Sequence, residues 1–131
     1  MADKVLVDTS AWIDFFRKVD PGRHELVTIL LREGHATGTG IVALELFRGA
    51  KTTKELKLVS ELFENIEMVY QTPTTYSAAG RMGYELARKG YTLSTVDILI
   101  AQIVIENDLS LLTLDQHFAI IAEHFPLKLI T

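Results

Sequence analysis

Apolar and polar residues along the chain form two kinds of segment. Short apolar runs predict buried strands, and longer runs with one polar side predict helices. Five strands are predicted, at residues 4–7, 35–39, 66–70, 109–112 and 127–130. About seven helices lie between and after them. Strands that alternate with helices predict a three-layer α/β/α domain with a short, mainly parallel, five-stranded sheet.

Capping residues and turn residues predict where the helices begin and end. Thr9 or Ser10 is expected to cap the first helix, and Thr95 is expected to cap the apolar helix near residue 100. A Pro21-Gly22 turn is expected before the second helix. The last helix is expected at residues 115–124.

Composition restricts the class of protein. A chain of 131 residues with 48% apolar residues is predicted to form one domain, residues 1–131, with a substantial core. No apolar run is long enough to span a membrane, and the start MADKVLVD lacks a signal-peptide layout, so we expect a soluble, cytoplasmic protein. The absence of cysteine excludes disulfides and thiolate metal sites. A net charge of −4 argues against a protein that coats nucleic acid, although it is compatible with a nuclease that has a local basic patch.

Four acidic residues stand beside apolar sequence. Asp8 follows the first strand, and Asp115 follows the fourth. Asp97 lies in the first turn of an apolar helix, and Glu45 is the only charge in the apolar run 41–47. Because the carboxyl ends of parallel strands share one edge of a sheet, we expect Asp8, Asp97 and Asp115 near that edge. The alternative for Asp97 and Asp115 is a helix-capping residue and a loop residue.

Carboxylates held close together need a counter-charge, because they cannot all ionise side by side. Mg²⁺ in proteins takes one or two carboxylates, several waters and substrate phosphate oxygens. Such a site suits phosphodiester hydrolysis, in which the metal activates water and stabilises charge on phosphorus. The predicted metal ligands are Asp8, Asp97 and Asp115. Glu45 is assigned to the same catalytic cluster, either as a ligand through water or as the group that orients the attacking water.

Further polar residues are candidates for the site. Ser10 and Thr113 are close in sequence to the acids and are expected to hydrogen-bond a carboxylate, a metal-bound water or a phosphate. Four bases are candidate RNA contacts: Arg48, Lys51, Lys54 and Lys57. The alternative for these bases is a solvated helix face. His117 is interpreted as an exposed helical residue, and the alternative is a contact with substrate, because it is close to Asp115.

The segments DTSAWIDFF, the Glu45 helix, VDILIAQI and LLTLDQHF occur in this order along the chain. This set closely resembles the PIN-domain ribonucleases, especially the VapC toxins of bacterial and archaeal toxin–antitoxin modules. The resemblance covers nearly the whole chain, and it matches the family's four acids to Asp8, Glu45, Asp97 and Asp115. It implies a PIN-like fold and a Mg²⁺- or Mn²⁺-dependent endoribonuclease. Residues 37–40, TGTG, are richer in glycine than the resemblance leads us to expect, which leaves the start of the Glu45 helix open.

The resemblance also implies partners. A VapB-type antitoxin is expected to cover the acids with its C-terminal segment, helped by exposed apolar residues around Trp12 and Phe47. The toxin is expected to be a homodimer, and to form a hetero-oligomer with the antitoxin. Its substrate is expected to be cellular RNA.

Other functions remain as alternatives. A housekeeping RNA-processing or DNA nuclease would use the same fold and site without an antitoxin. A signalling receiver domain needs a phosphoacceptor aspartate after its central strand and a lysine after its last strand. Here the strand at 66–70 ends in Gln71-Thr72, and Lys128 lies within the last strand. A PIN-like scaffold without activity is disfavoured by the four intact acids.

Overall fold

The computed structural model describes residues 4–130, so residues 1–3, which the signal-peptide argument used, and Thr131 lie outside it. The strands are β1 (Val5–Val7), β2 (Ala36–Thr39), β3 (Glu67–Val69), β4 (Ser110–Leu112) and β5 (Lys128–Leu129). The helices are α1 (Thr9–Arg17), α2 (Pro21–Arg32), α3 (Gly40–Gly49), α4 (Thr53–Glu64), α5 (Pro73–Arg88), α6 (Thr95–Glu106) and α7 (His117–His124). Within the described range, none of these helices combines the length and the apolar character that a membrane crossing needs.

The strands form one sheet in the order β3-β2-β1-β4-β5, with β1 at its centre. Every strand pairing within residues 4–130 is parallel. All residues of β1 and β2 are buried, so the helices cover both faces of the sheet. The predicted fold class is therefore confirmed, with five strands and seven helices among the described residues.

The central pair of strands brings distant parts of the chain to one edge. Val7 pairs with Leu112, and the backbone N–H of Asp8 donates to the carbonyl of Leu112 at 2.9 Å. Asp8 and Thr113 therefore leave the sheet side by side. On the other side of β1, α3 begins at Gly40 directly after β2, so Glu45 is carried by a helix that starts at the same edge.

Trp12 anchors α1 in the core. Its indole is fully buried and packs against the rings of Phe15 and Phe16. The neighbouring Ile13 and Phe16 remain partly exposed, each at 37%. Trp12 is thus a core residue, and the exposed apolar residues expected around it are Ile13 and Phe16.

A partly buried ion pair joins α1 to α2. Asp14 is buried, and Arg23 donates to both of its carboxylate oxygens, at 3.0 Å from Nε and 2.8 Å from a terminal nitrogen. The hydrogen bond from Arg23 lowers the pKa of Asp14, against the opposing effect of burial. The sequence analysis did not identify this pair, because nothing local shows that residues nine apart face each other.

The expected start of α1 was wrong. Asp8 is its N-cap residue, instead of Thr9 or Ser10, and the Asp8 side chain makes no capping hydrogen bond. The carboxylate instead accepts hydrogen bonds from the hydroxyls of Ser10 and Thr113. The expected Pro21-Gly22 turn was also wrong, because these residues form the first turn of α2. Asp20 caps that helix, and proline is well tolerated at its first position.

The structure also corrects the expected cap of α6 and the expected start of α7. Ser94 caps α6 instead of Thr95, since its hydroxyl accepts the N–H of Asp97 at 3.1 Å. The final helix begins at His117 instead of Asp115, because the Asp115 carboxylate accepts the N–H of His117 at 2.9 Å from outside the helix.

Gly38 explains part of the glycine-rich TGTG segment. A Cβ at Gly38 would come within 2.9 Å of Ile66 and Phe63 and within 3.0 Å of Met68. A Cβ at this position would force these side chains to shift, so glycine lets the end of α4 and strand β3 pack closely on β2. The sequence left the first residue of the Glu45 helix open, and the structure shows that this helix begins at Gly40.

Candidate metal centre

Asp8 is held rigidly at the end of β1. It is 5% exposed, and its Oδ2 accepts hydrogen bonds from Ser10 Oγ at 3.1 Å and Thr113 Oγ1 at 2.7 Å. Each hydroxyl has one proton to donate, and each also accepts a backbone N–H. Ser10 accepts from Leu114 at 3.0 Å, and Thr113 accepts from Asp115 at 3.0 Å. The two hydroxyls therefore fix both the Asp8 carboxylate and the loop that carries Asp115.

Asp97 and Asp115 approach each other from two different elements. Asp97 lies in the first turn of α6, and Asp115 lies in the loop between β4 and α7. Oxygen atoms of both carboxylates and a ring nitrogen of His117 all lie within 4.8 Å of one another. The side chains of Asp97 and Asp115 are 16% and 35% exposed, so the group opens to solvent on one side.

The carboxylates repel each other. Burial raises the pKa of Asp97, and the negative charges of Asp115 and Asp8 raise it further, while a hydrogen bond from Ser94 and the polar contact with His117 act in the opposite direction. Asp8 is therefore near enough to act on Asp97 electrostatically. Among residues 4–130, His117 is the basic residue that approaches both acids, with its Nδ1 at 3.5 Å from Asp97 and 3.3 Å from Asp115. A divalent cation would relieve this repulsion.

Glu45 is tied to the start of α1, next to Asp8. Thr9 Oγ1 donates to Glu45 Oε1 at 2.6 Å, so the residue next to Asp8 in the chain holds the Glu45 carboxylate. Glu45 also lines a cavity of about 280 Å³, together with apolar residues of α1, α3 and α4. In the part of the chain that the structure describes, neither Glu45 nor Asp8 belongs to the close group formed by Asp97, Asp115 and His117.

The four candidate RNA-contacting bases are all exposed. They lie at the end of α3, in the following turn and at the start of α4: Arg48, Lys51, Lys54 and Lys57. This stretch follows the helix that carries Glu45. A contact between these bases and phosphate remains a prediction.

The donor set fits a hard divalent cation. Asp97 and Asp115 offer carboxylate oxygens at suitable separation, Asp8 adds a third, fixed carboxylate nearby, and the open side leaves room for water and phosphate. His117 supplies a nitrogen to the same group. Sequence reasoning did not assign His117 to the site, since its approach to Asp97 depends on how α7 packs against α6.

The family model for the PIN domain matches residues 5–124, and the chain belongs to the PIN-domain family. No curated protein sequence matches the chain.

Solved structures of similar fold include toxin–antitoxin proteins. VapBC from Salmonella typhimurium bound to DNA matches with a TM-score of 0.81 and 21% identity, covering 98% of each chain. VapBC2 from Rickettsia felis, bound to a DNA fragment from its promoter, matches with a TM-score of 0.78 and 21% identity, covering 96% of each chain. VapC20 from Mycobacterium tuberculosis, described as a sarcin-ricin-loop-cleaving toxin, matches with a TM-score of 0.67 and 16% identity, covering 93% of this chain and 96% of that one. At these identities the likeness shows the fold.

Proposed function

We propose that the protein is a Mg²⁺- or Mn²⁺-dependent endoribonuclease that acts as the toxin of a toxin–antitoxin pair. The observation that carries the proposal is the group of acids at the carboxyl edge of the sheet. Asp97 and Asp115 face each other without a lysine or arginine partner among the described residues, and Asp8 is fixed beside them. Membership of the PIN-domain family supports the nuclease assignment.

Asp8, Asp97 and Asp115 are proposed to hold the metal ion, and Ser10 and Thr113 keep Asp8 in position. When bound, the ion activates water and stabilises the charge that develops on the phosphodiester.

Glu45, held by Thr9, is proposed to bind the ion through water or to orient the attacking water. The exposed bases Arg48, Lys51, Lys54 and Lys57 are proposed to contact the RNA backbone, and such contacts position a strand without reading its sequence.

A cleavage assay tests the proposal. The purified protein is expected to cut structured RNA with Mg²⁺ or Mn²⁺, to stop when chelator is added, and to leave DNA of the same sequence intact. Asp115→Asn should remove cleavage. Asp108→Asn is the matched control, because Asp108 is exposed and precedes β4, at the opposite edge of the sheet. Cleavage that persists in chelator would contradict the proposal.

The proposed antitoxin segment covers the cavity beside Glu45. Its apolar lining includes Ile13, Phe16, Leu46 and Leu58, and the exposed Phe47 lies on the same helix as Glu45. An apolar segment that orders on binding could fill this cavity and place a basic residue near the acids. The similar VapBC structures support a partner of this kind.

Leu58→Glu should abolish binding of the antitoxin while RNA cleavage remains. Leu56→Glu is the control, since Leu56 is similarly exposed on α4 but does not line the cavity. Equal loss of binding in both variants would contradict binding of the antitoxin in this cavity.

A homodimer is proposed through the exposed groove between α5 and α6. It is lined by Tyr76, small residues of α5 and Leu99, and Tyr84 is exposed further along α5. Light scattering should give twice the monomer mass of 14.7 kDa. Tyr76→Glu should produce a monomer, whereas Tyr70→Glu, at an exposed site outside the groove, should not. A monomeric wild type at high concentration would contradict this part.

The alternative is a housekeeping PIN-domain nuclease without an antitoxin. Expression of the chain alone in a bacterium separates the two, since the proposed cytoplasmic toxin should arrest growth and its Asp115→Asn variant should not. Normal growth with abundant, folded wild type would favour the housekeeping function.

A further inference from the structure

His117 was expected to be an exposed helical residue, but it also faces two carboxylates. It is the first residue of α7, and its side chain is 61% exposed. Its Nδ1 lies 3.5 Å from Oδ2 of Asp97 and 3.3 Å from Oδ1 of Asp115. Both distances exceed the roughly 3.2 Å limit of common N–H···O hydrogen bonds. The nitrogen therefore faces two carboxylates without a short hydrogen bond to either.

These separations suit ligands of one metal ion. Two neighbouring ligands at right angles on an octahedral ion, each at about 2.1 Å, lie about 3 Å apart. The distance of 3.3 Å between Nδ1 and Oδ1 of Asp115 is close to that spacing. The backbone N–H of His117 also donates to Asp115 Oδ1 at 2.9 Å and ties the two residues together.

We infer that His117 is a nitrogen ligand of the metal ion held by Asp97 and Asp115, and that it makes the site prefer Mn²⁺ to Mg²⁺. The inference rests on the proposed function and names the ion that the site selects. Mg²⁺ is bound almost entirely through oxygen, whereas first-row transition ions accept imidazole readily. A site in which one imidazole joins the three proposed carboxylates therefore favours the transition ion, while an all-oxygen site loses that discrimination.

Metal binding to the RNA-free protein tests the inference. Calorimetry should give a Kd for Mn²⁺ at least about tenfold lower than that for Mg²⁺. In His117→Gln the Kd for Mn²⁺ should rise about tenfold, while that for Mg²⁺ should change by less than about threefold. His117→Asp, which replaces the nitrogen ligand with an oxygen ligand, should bind Mg²⁺ and Mn²⁺ more nearly equally. His35→Gln is the control, because His35 precedes β2 at the other edge of the sheet.

Pulsed electron paramagnetic resonance of bound Mn²⁺ gives a direct reading, since a coordinated imidazole nitrogen couples to the electron spin. The coupling should be present in wild type and in His35→Gln, and absent in His117→Gln. Melting curves check that each variant is folded.

A wild-type protein without nitrogen coupling, or with equal affinity for both ions, would overturn the inference. Metal-dependent RNA cleavage in that same protein would leave the proposed function standing. Failure to bind either ion, together with absence of cleavage, would overturn both.

Discussion

Two regions of the molecule each contain aspartates near α1, and they differ in how the negative charge is neutralised. Between α1 and α2, the buried Asp14 receives two hydrogen bonds from Arg23, and its pKa is lowered. At the carboxyl edge of the sheet, Asp97 faces Asp115 and Asp8, and its pKa is raised, chiefly by burial. The first arrangement is complete within the protein and supports the fold. The second brings carboxylates together without a lysine or arginine partner among the described residues, which suits the proposed metal site.

Asp97→Asn is expected to have the largest effect on activity. The change keeps the side chain's size and removes a proposed metal ligand, so RNA cleavage should fall by orders of magnitude. An aspartate with a raised pKa stabilises the fold only below about pH 4, and that contribution is lost as the pH rises through the raised value.

At pH 7 and without metal, the Asp97→Asn variant should therefore melt a few degrees above wild type. With saturating metal the order should reverse, because the ion stabilises the protein that binds it. Scanning calorimetry gives the melting temperatures with and without metal. Equal RNA cleavage by the variant and wild type would remove Asp97 from the site.

Asp14→Asn should give the opposite result. It removes a charge that the protein itself neutralises, so the melting temperature should fall by several degrees while cleavage by the folded protein persists. The lowered pKa of Asp14 makes its contribution present above about pH 4 and lost as the pH falls further.

The stability difference between wild type and Asp14→Asn should thus shrink in strong acid, as denaturant unfolding at several pH values would show. Asp20→Asn is the control, since Asp20 lies 3.9 Å from Arg23 and asparagine is an equally good N-cap. Loss of cleavage in folded Asp14→Asn would contradict the conclusion that this pair supports only the fold.

Thr113→Val tests whether the acidic edge depends on its hydroxyls. The variant keeps the shape of threonine but removes the donor at 2.7 Å from Asp8, and cleavage should fall about tenfold. Thr113→Ser keeps the hydroxyl and should retain most of the activity. Isothermal metal titration should show weaker binding in the valine variant alone.

Thr9→Val should have the smallest effect. It removes the hydroxyl that holds Glu45 at 2.6 Å, so cleavage should fall severalfold while metal affinity stays near that of wild type. Comparing kcat with the Kd of the metal separates these outcomes. A loss of metal affinity as large as that of Asp97→Asn would make Glu45 a direct ligand, held in place by Thr9.

The sequence by itself determined the local features. Apolar runs predicted the strands and the parallel α/β class, and strand ends placed Asp8 and Asp115 at one edge, because side-chain period and turn chemistry are properties of neighbouring residues. Ser10 and Thr113 were expected near a carboxylate, and the structure places both on Asp8. Helix starts were predicted less well, since several hydroxyls or acids in a row can each cap a helix.

Only the tertiary structure decided which charges meet. Asp97 and Asp115 are separated by seventeen residues of helix and strand, and His117 reaches both through the packing of α7. Arg23 neutralises Asp14 because α1 and α2 pack side by side, and Thr9 meets Glu45 because β1 and β2 are neighbours. These distances follow from strand register and helix packing, which join residues far apart in the chain and leave no periodic signal in the sequence.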